Sequence, residues 1–169
     1  MLRLLTHIYG LPVIAQAAGT PITTIDEAVF DSDKGKVVAY KVKERGKLLS
    51  TVDILNYFDD GVLVGSADVL QNPHELPRVA DLLTENIGLV GLRTVNEQGE
   101  RLGKVEDVLI DSSGHFLAKL YVKPGLFHRF VTDQLIISRD QVVKITPREA
   151  VVRYDVKAQP AGAEPEVAP

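Results

Sequence analysis

The 169-residue chain contains no cysteine, which excludes disulfides, thiolate metal sites and a cysteine nucleophile. It also lacks a long apolar run. No window reaches the roughly 18 to 20 uninterrupted apolar residues of a membrane-spanning helix, so no spanning segment is expected. Nor is there an excess of positive charge. The net charge of -4 leaves no electrostatic footprint for nucleic acid. The imbalance along the chain is small: residues 1–72 carry 7 basic and 9 acidic groups, a difference of -2, and residues 88–155 carry 10 and 9, a difference of +1. Motifs of chemistry are missing as well. The glycines sit singly, giving no phosphate loop, dinucleotide fingerprint or G-x-S-x-G elbow. His7, His74, His115 and His128 are scattered, without an i, i+4 pair, which leaves metal-ligand and general-base roles unsupported. Asp31-Ser32-Asp33-Lys34-Gly35 begins like a calcium loop, yet its glycine comes one position early and Val42 stands where the bidentate glutamate belongs. A non-enzyme is expected, with no catalytic residue, cofactor or metal assigned.

What the chain does have is an internal repeat, the first thing to settle in any sequence. Gly99 to Asp111, GERLGKVEDVLID, aligns without a gap with Gly19 to Asp31, GTPITTIDEAVFD, at an offset of 80. Ile22 then faces Leu102, Ile25 Val105, Asp26 Glu106, Val29 Leu109 and Asp31 Asp111. Upstream, Ile8-Tyr9-Gly10-Leu11 matches Leu89-Val90-Gly91-Leu92. Downstream, Ser32-Asp33-Lys34-Gly35 answers Ser112-Ser113-Gly114 with one residue fewer, which makes Ala39 and Ala118 equivalent.

Short strands broken by turns account for both copies. In the first, strands are expected at 11–15, 22–30, 37–42 and 47–52, then a helical turn at 53–56 and a closing hairpin through 62–64. The second copy repeats the order, with strands at 91–96, 101–111 and 115–123, a strand ending at Ile137, and closing strands at 142–145 and 150–154. Between the copies, Leu76, Val79, Ala80 and Leu83 recur at helical spacing, predicting a packed helix over 78–86. The fold class is therefore mainly β: two tandem small β-barrels over residues 1–72 and 88–155, joined by a short helical connector over 73–87. Residues 156–169, rich in proline, alanine and glutamate, are expected to form a disordered tail. The run from Met1 to Ala17 imitates a signal peptide. Because Ile8 to Gly19 has a counterpart inside the chain, retention and a cytoplasmic location are expected instead, with the apolar run counted as strand.

The pattern G-x-x-L-G-K-V-E-D-V-L-I-D, followed by a glycine-containing turn, an apolar strand and a D-x-V-x-x-I closing segment, resembles the PRC-barrel domain. That family includes the C-terminal domain of a ribosome maturation factor, the cytoplasmic part of the photosynthetic reaction centre H subunit, and short bacterial double-barrel proteins. The likeness covers Ile8 to Tyr154, with Gly103 to Asp111 its specific part; the first copy carries Thr23-Thr24 where the second has Gly103-Lys104. It implies three functions. The first is a non-catalytic protein-interaction or adaptor module with an unidentified protein partner. The second is a ribosome or RNA-associated assembly factor, for which Lys119, Lys123, Arg129, Arg139, Lys144 and Arg148 would supply the basic face. The third is a regulatory subunit of a membrane complex, with Glu106 and Asp107 as counterparts of the H subunit's proton-delivering acids; against it, one acid is expected in solvent and the other on a neighbouring turn.

The copies differ most in one hairpin. From Ala39 to Asp53 is 14 residues and from Ala118 to Asp140 is 22, an extension of 8. It contains Leu126, Phe127, His128, Arg129 and Phe130, the candidate interaction residues, in which apolar anchors sit beside a polar rim.

Overall fold

The computed structural model describes residues 1–126 and 133–155. Strand β1 (Leu2–Leu4) runs into a single helical turn, α1 (Leu5–Ile8), before β2 (Pro12–Ala15) opens the first copy. β3 (Thr20–Asp31), β4 (Lys36–Val42), β5 (Leu48–Ser50), β6 (Ile54–Tyr57), β7 (Val62–Val64) and β8 (Leu70–Gln71) complete it, and helix α2 (Pro77–Glu85) follows. The second copy supplies β9 (Arg93–Asn96), β10 (Arg101–Asp111), β11 (Leu117–Pro124), β12 (Leu135–Ser138), β13 (Val142–Ile145) and β14 (Glu149–Val152). The chain is mainly β, in two sheets of seven strands. One runs β6-β7-β2-β3-β4-β5-β8; the other runs β12-β11-β10-β9-β14-β13, with β1 added beside β10.

The sheets repeat one plan. β2 is antiparallel to β3 and parallel to β7, as β9 is to β10 and β14. Even the irregularities recur: β3 slips register between Ile25 and Glu27 and between Val29 and Phe30, and β10 does so between Val105 and Asp107 and between Leu109 and Ile110. Such bulges bend a strand and increase its twist, which lets one long strand serve two neighbours. In β10 the bend needs Gly103. A Cβ there would lie 2.0 Å from the Lys123 carbonyl oxygen, so only glycine permits this approach of β10 to β11. The first copy has Thr23 at this position, whose hydroxyl instead accepts the Glu44 N–H at 3.3 Å.

Several expectations require correction. The β3–β4 and β10–β11 turns are equal in length, because Phe30 pairs with Val37 and Ile110 with Leu117. Gly35 at φ +65° therefore corresponds to His115 at φ +61°, and Ala39 to Lys119 rather than to Ala118. The N-terminal apolar run is strand at Leu2–Leu4 and Pro12–Ala15 with a helical turn at Leu5–Ile8 between them, and β1 pairs with the second copy: Leu2 opposite Asp111, Arg3 opposite Ile110 and Leu4 opposite Leu109. The helical turn expected at 53–56 is a 3-10 turn at Thr51–Asp53 followed directly by β6.

One buried apolar cluster runs through both sheets, including Leu5, Ile8, Tyr40 and Val62 from the first copy and Leu102, Val108, Leu120 and Ile137 from the second. Burying side chains of this size contributes about 1.5 to 3 kcal/mol each, and the two copies share that gain. A smaller cluster forms where α2 sets Val79 and Leu82 on Val29, Ala39 and Leu48. That is the stripe seen in the sequence. The helix ends at Asn86, whose left-handed φ of 52° closes it with a bond from its N–H to the Leu82 carbonyl.

Candidate functional site

The copies meet tip to tip. The Val37 N–H donates to the His115 carbonyl at 2.9 Å and the Leu117 N–H to the Gly35 carbonyl at 3.0 Å, with Lys36 and Phe116 bridged between them. This joint is an approximate twofold, and it has two flanks. Each flank sets a turn of one copy against the closing hairpin of the other.

On one flank the His115 turn meets β6. The Tyr57 hydroxyl lies 3.0 Å from His115 Nε2 and donates to the Tyr40 hydroxyl at 3.1 Å. Arg3 on β1 closes the space, donating to the Tyr57 carbonyl at 3.0 Å and the Phe58 carbonyl at 3.3 Å. Burial pushes both tyrosine hydroxyls well above their ordinary value. Burial, with Lys36 nearby, pushes the His115 imidazole below its own. At neutral pH the three groups are uncharged, and they act as a hydrogen-bonded lock between the copies.

On the other flank the corresponding positions are Gly35, which has no side chain, and Ile145. Ile145 faces Ala150 in β13–β14 as Tyr57 faces Val62 in β6–β7. Smaller residues leave an open cleft of about 170 Å³, lined by Phe30, Ser32, Lys34, Arg139, Val142 and Lys144 among others. The Arg139 guanidinium stacks 4.8 Å from the centre of the Phe116 ring, and Lys36 Nζ stands 5.4 Å from it. Lys34, Lys36, Arg139 and Lys144 have no ion-pair partner among the described residues. Asp33, which also lines the cleft, is held by Arg78 at 2.9 Å. A larger opening of about 610 Å³ lies beside Asn96, Glu97 and Asp155.

The residues singled out from sequence fall in different places. Leu126 follows β11 and is 72% exposed; Phe127, His128, Arg129 and Phe130 lie outside the described residues. Of the six basic candidates, Arg139 and Lys144 line the cleft, Lys119 and Lys123 stand on β11, Arg148 sits in the β13–β14 turn, and Arg129 is outside the described residues. Asp107 accepts from Thr6 through both its backbone N–H and its hydroxyl and so holds the start of α1, while exposed Glu106 accepts from Gln134 Nε2 at 2.8 Å. His7 and His74 are exposed and His115 is buried. The calcium-like loop is a turn: Asp31 accepts from the N–H groups of Asp33 and Lys34. Among the described residues no group of three metal-ligating side chains gathers. The cleft went unread because its walls come from different copies and each cation alone looks like ordinary surface; the aromatic at position 116 opposite Lys36 was the available signal.

Two sheets on one plan, locked at their hairpin tips, define a mainly β protein with internal twofold character. The family model of the PRC-barrel domain matches residues 89–159, which supports that family for the second copy. Comparison with curated proteins gives no match. Among the described residues no helix is long and apolar enough to cross a membrane.

Proposed function

We propose that the chain is a non-catalytic protein-interaction or adaptor module built from two PRC-barrel units, residues 1–72 and 88–155, joined through 73–87. The shared strand order and matched register slips of the two sheets support two units. Leu126 carries the interaction reading: a leucine left 72% exposed, at the mouth of a hairpin that the first copy keeps short, has its apolar surface available to another protein. Catalysis is not part of the proposal, since the buried titratable groups at the joint hydrogen-bond one another. A cytoplasmic location is part of it.

Affinity capture from the source cell tests the reading. A discrete protein partner retained at high salt is the expected result. Co-sedimentation with ribosomal subunits that fades steeply as salt rises would move the conclusion to an assembly factor held by phosphate contacts.

A further inference from the structure

The internal twofold of the joint holds for the backbone and fails for the charge. The turns at 58–61 and 146–149 are built alike: the Phe58 N–H donates to the Gly61 carbonyl at 2.8 Å, and the Thr146 N–H to the Glu149 carbonyl at 2.9 Å. With Gly35 matched to His115 and Tyr57 to Ile145, the cleft flank carries Lys34, Arg139, Lys144 and Arg148 where the His115 flank carries Gly114, Thr51, Asn56 and Asp60. Acids on the cleft flank do not cancel these cations. Asp33 is held by Arg78 and Glu149 by Arg93, and Asp140 lies outside the cleft lining. The His115 flank is acidic instead, with Asp59 and Asp60 exposed at the tip of the β6–β7 turn. Asp59 reaches Arg3 at 3.4 Å, and Asp60 has no ion-pair partner among the described residues. Each flank also leaves one large apolar side chain in solvent, Phe58 at 45% exposure beside the acids and Val143 at 43% in the cleft wall.

Going beyond the interaction-module reading and independent of it, we propose that the chain associates with a second molecule of itself, the Phe58–Gly61 turn of one molecule resting on the cleft of the next. The carboxylates of Asp59 and Asp60 meet Lys34, Arg139 and Lys144, with Arg148 at the rim, and Phe58 covers Val143. Unpaired cations gathered on one face repel one another, as do two adjacent acids, and bringing the two faces together relieves both. Arg139 is held by its stacking on Phe116, and a guanidinium fixed in this way receives a carboxylate at low ordering cost. A cleft of about 170 Å³ has room for side chains and none for an added strand, so the contact is a turn tip seated at the mouth. This chain supplies both halves of the match. It cannot make the contact within one molecule, because Arg3 ties the turn to the opposite flank of the joint. Association is therefore head to tail, each molecule using its turn once and its cleft once.

Sedimentation velocity of the full chain at concentrations up to about 1 mM tests this, since a small charge-led contact is weak. The mean mass is expected to rise with concentration at low salt and to fall back to the monomer near about 1 M salt, where charges are screened within about 3 Å. R139E/K144E and D59K/D60K, each changed at exposed positions, should each weaken association at least about tenfold with an unaltered melting temperature. An equimolar mixture of the two should associate again, because one supplies the intact turn and the other the intact cleft. If loss of the Arg3 contact lowers the melting temperature of D59K/D60K, D60K alone carries the same test with about threefold weakening. A chain that stays monomeric throughout this range, association indifferent to these variants, or a mixture of folded variants that stays monomeric would each overturn the proposal. So would amide shifts at Lys34 and Lys144 on adding inorganic pyrophosphate to a chain that does not self-associate, which would assign the cleft to a small anion.

Discussion

Arg78 on α2 grips the buried carboxylate of Asp31 with two hydrogen bonds, Nη2 to Oδ1 at 3.0 Å and Nε to Oδ2 at 3.2 Å. Burial opposes ionisation of Asp31, but the guanidinium together with the N–H groups of Lys34 and Asp33 outweighs it and holds the carboxyl below its ordinary value. A depressed folded value means that the stabilisation is present above about pH 4, the unfolded value, and is lost as pH falls through the folded one. Asp31→Ala, which orphans two turn N–H groups and leaves Arg78 with Asp33 alone, should cost about 2 kcal/mol at neutral pH. Urea unfolding should show the gap between variant and unaltered protein narrowing below about pH 4. A gap that stays constant down to strongly acid pH would show that the pair does not stabilise through its charge.

His115 is also held below its ordinary value, but there the fold favours the uncharged form. Its imidazole is kept neutral in the folded protein by burial and by Lys36, so the unfolded chain takes up the proton first. Stability should decline as pH falls below about 6.5, the ordinary histidine value. His115→Asn tests this without disturbing the backbone, because asparagine tolerates the left-handed φ of 61°. The variant should lose the Tyr57 bond, costing about 1 kcal/mol, and should flatten the stability profile between roughly pH 5 and 7. An unchanged slope in the variant would remove His115 from the account.

What the sequence revealed depended on how local the cause was. β3 and β10 were legible because alternation and the repeat coincide, and α2 because its stripe has helical spacing. β1 was not, since nothing in Leu2-Arg3-Leu4 names a partner more than a hundred residues away. β8 is two residues long and carries no period. The turns misalign in the sequence because Gly114 is the residue that resembles Gly35, whereas His115 is the one that adopts its left-handed conformation. The cleft was hidden for the same long-range reason, because Lys34 and Lys144 become neighbours only after the copies dock.

Two glycines separate strain from collision. At Gly99, φ is +81° and a Cβ would meet nothing within 4 Å, so Gly99→Val introduces only the cost of that conformation for a β-branched residue, about 1 kcal/mol or somewhat more. At Gly103 the conformation is no obstacle, yet the Cβ would strike the Lys123 carbonyl. Gly103→Ala should therefore be the worse change although it adds only a methyl group, at about 3 kcal/mol or more. Chemical denaturation of both variants gives the order directly. A milder Gly103→Ala would mean that β10 and β11 can part without loss.

The long hairpin decides whether the second copy has a binding face of its own. Leu126 is exposed, so truncating it removes little packing from the core. Apolar anchors at a protein interface commonly cost more than about 1 kcal/mol of binding when removed. The triple variant Leu126→Ser, Phe127→Ser, Phe130→Ser is accordingly expected to keep the melting temperature of the unaltered chain and to weaken partner capture by at least about tenfold. A large fall in melting temperature would instead make these side chains part of the fold. Capture retained by the triple variant and lost by R139E/K144E would move the interface from the hairpin to the cleft beneath Phe30.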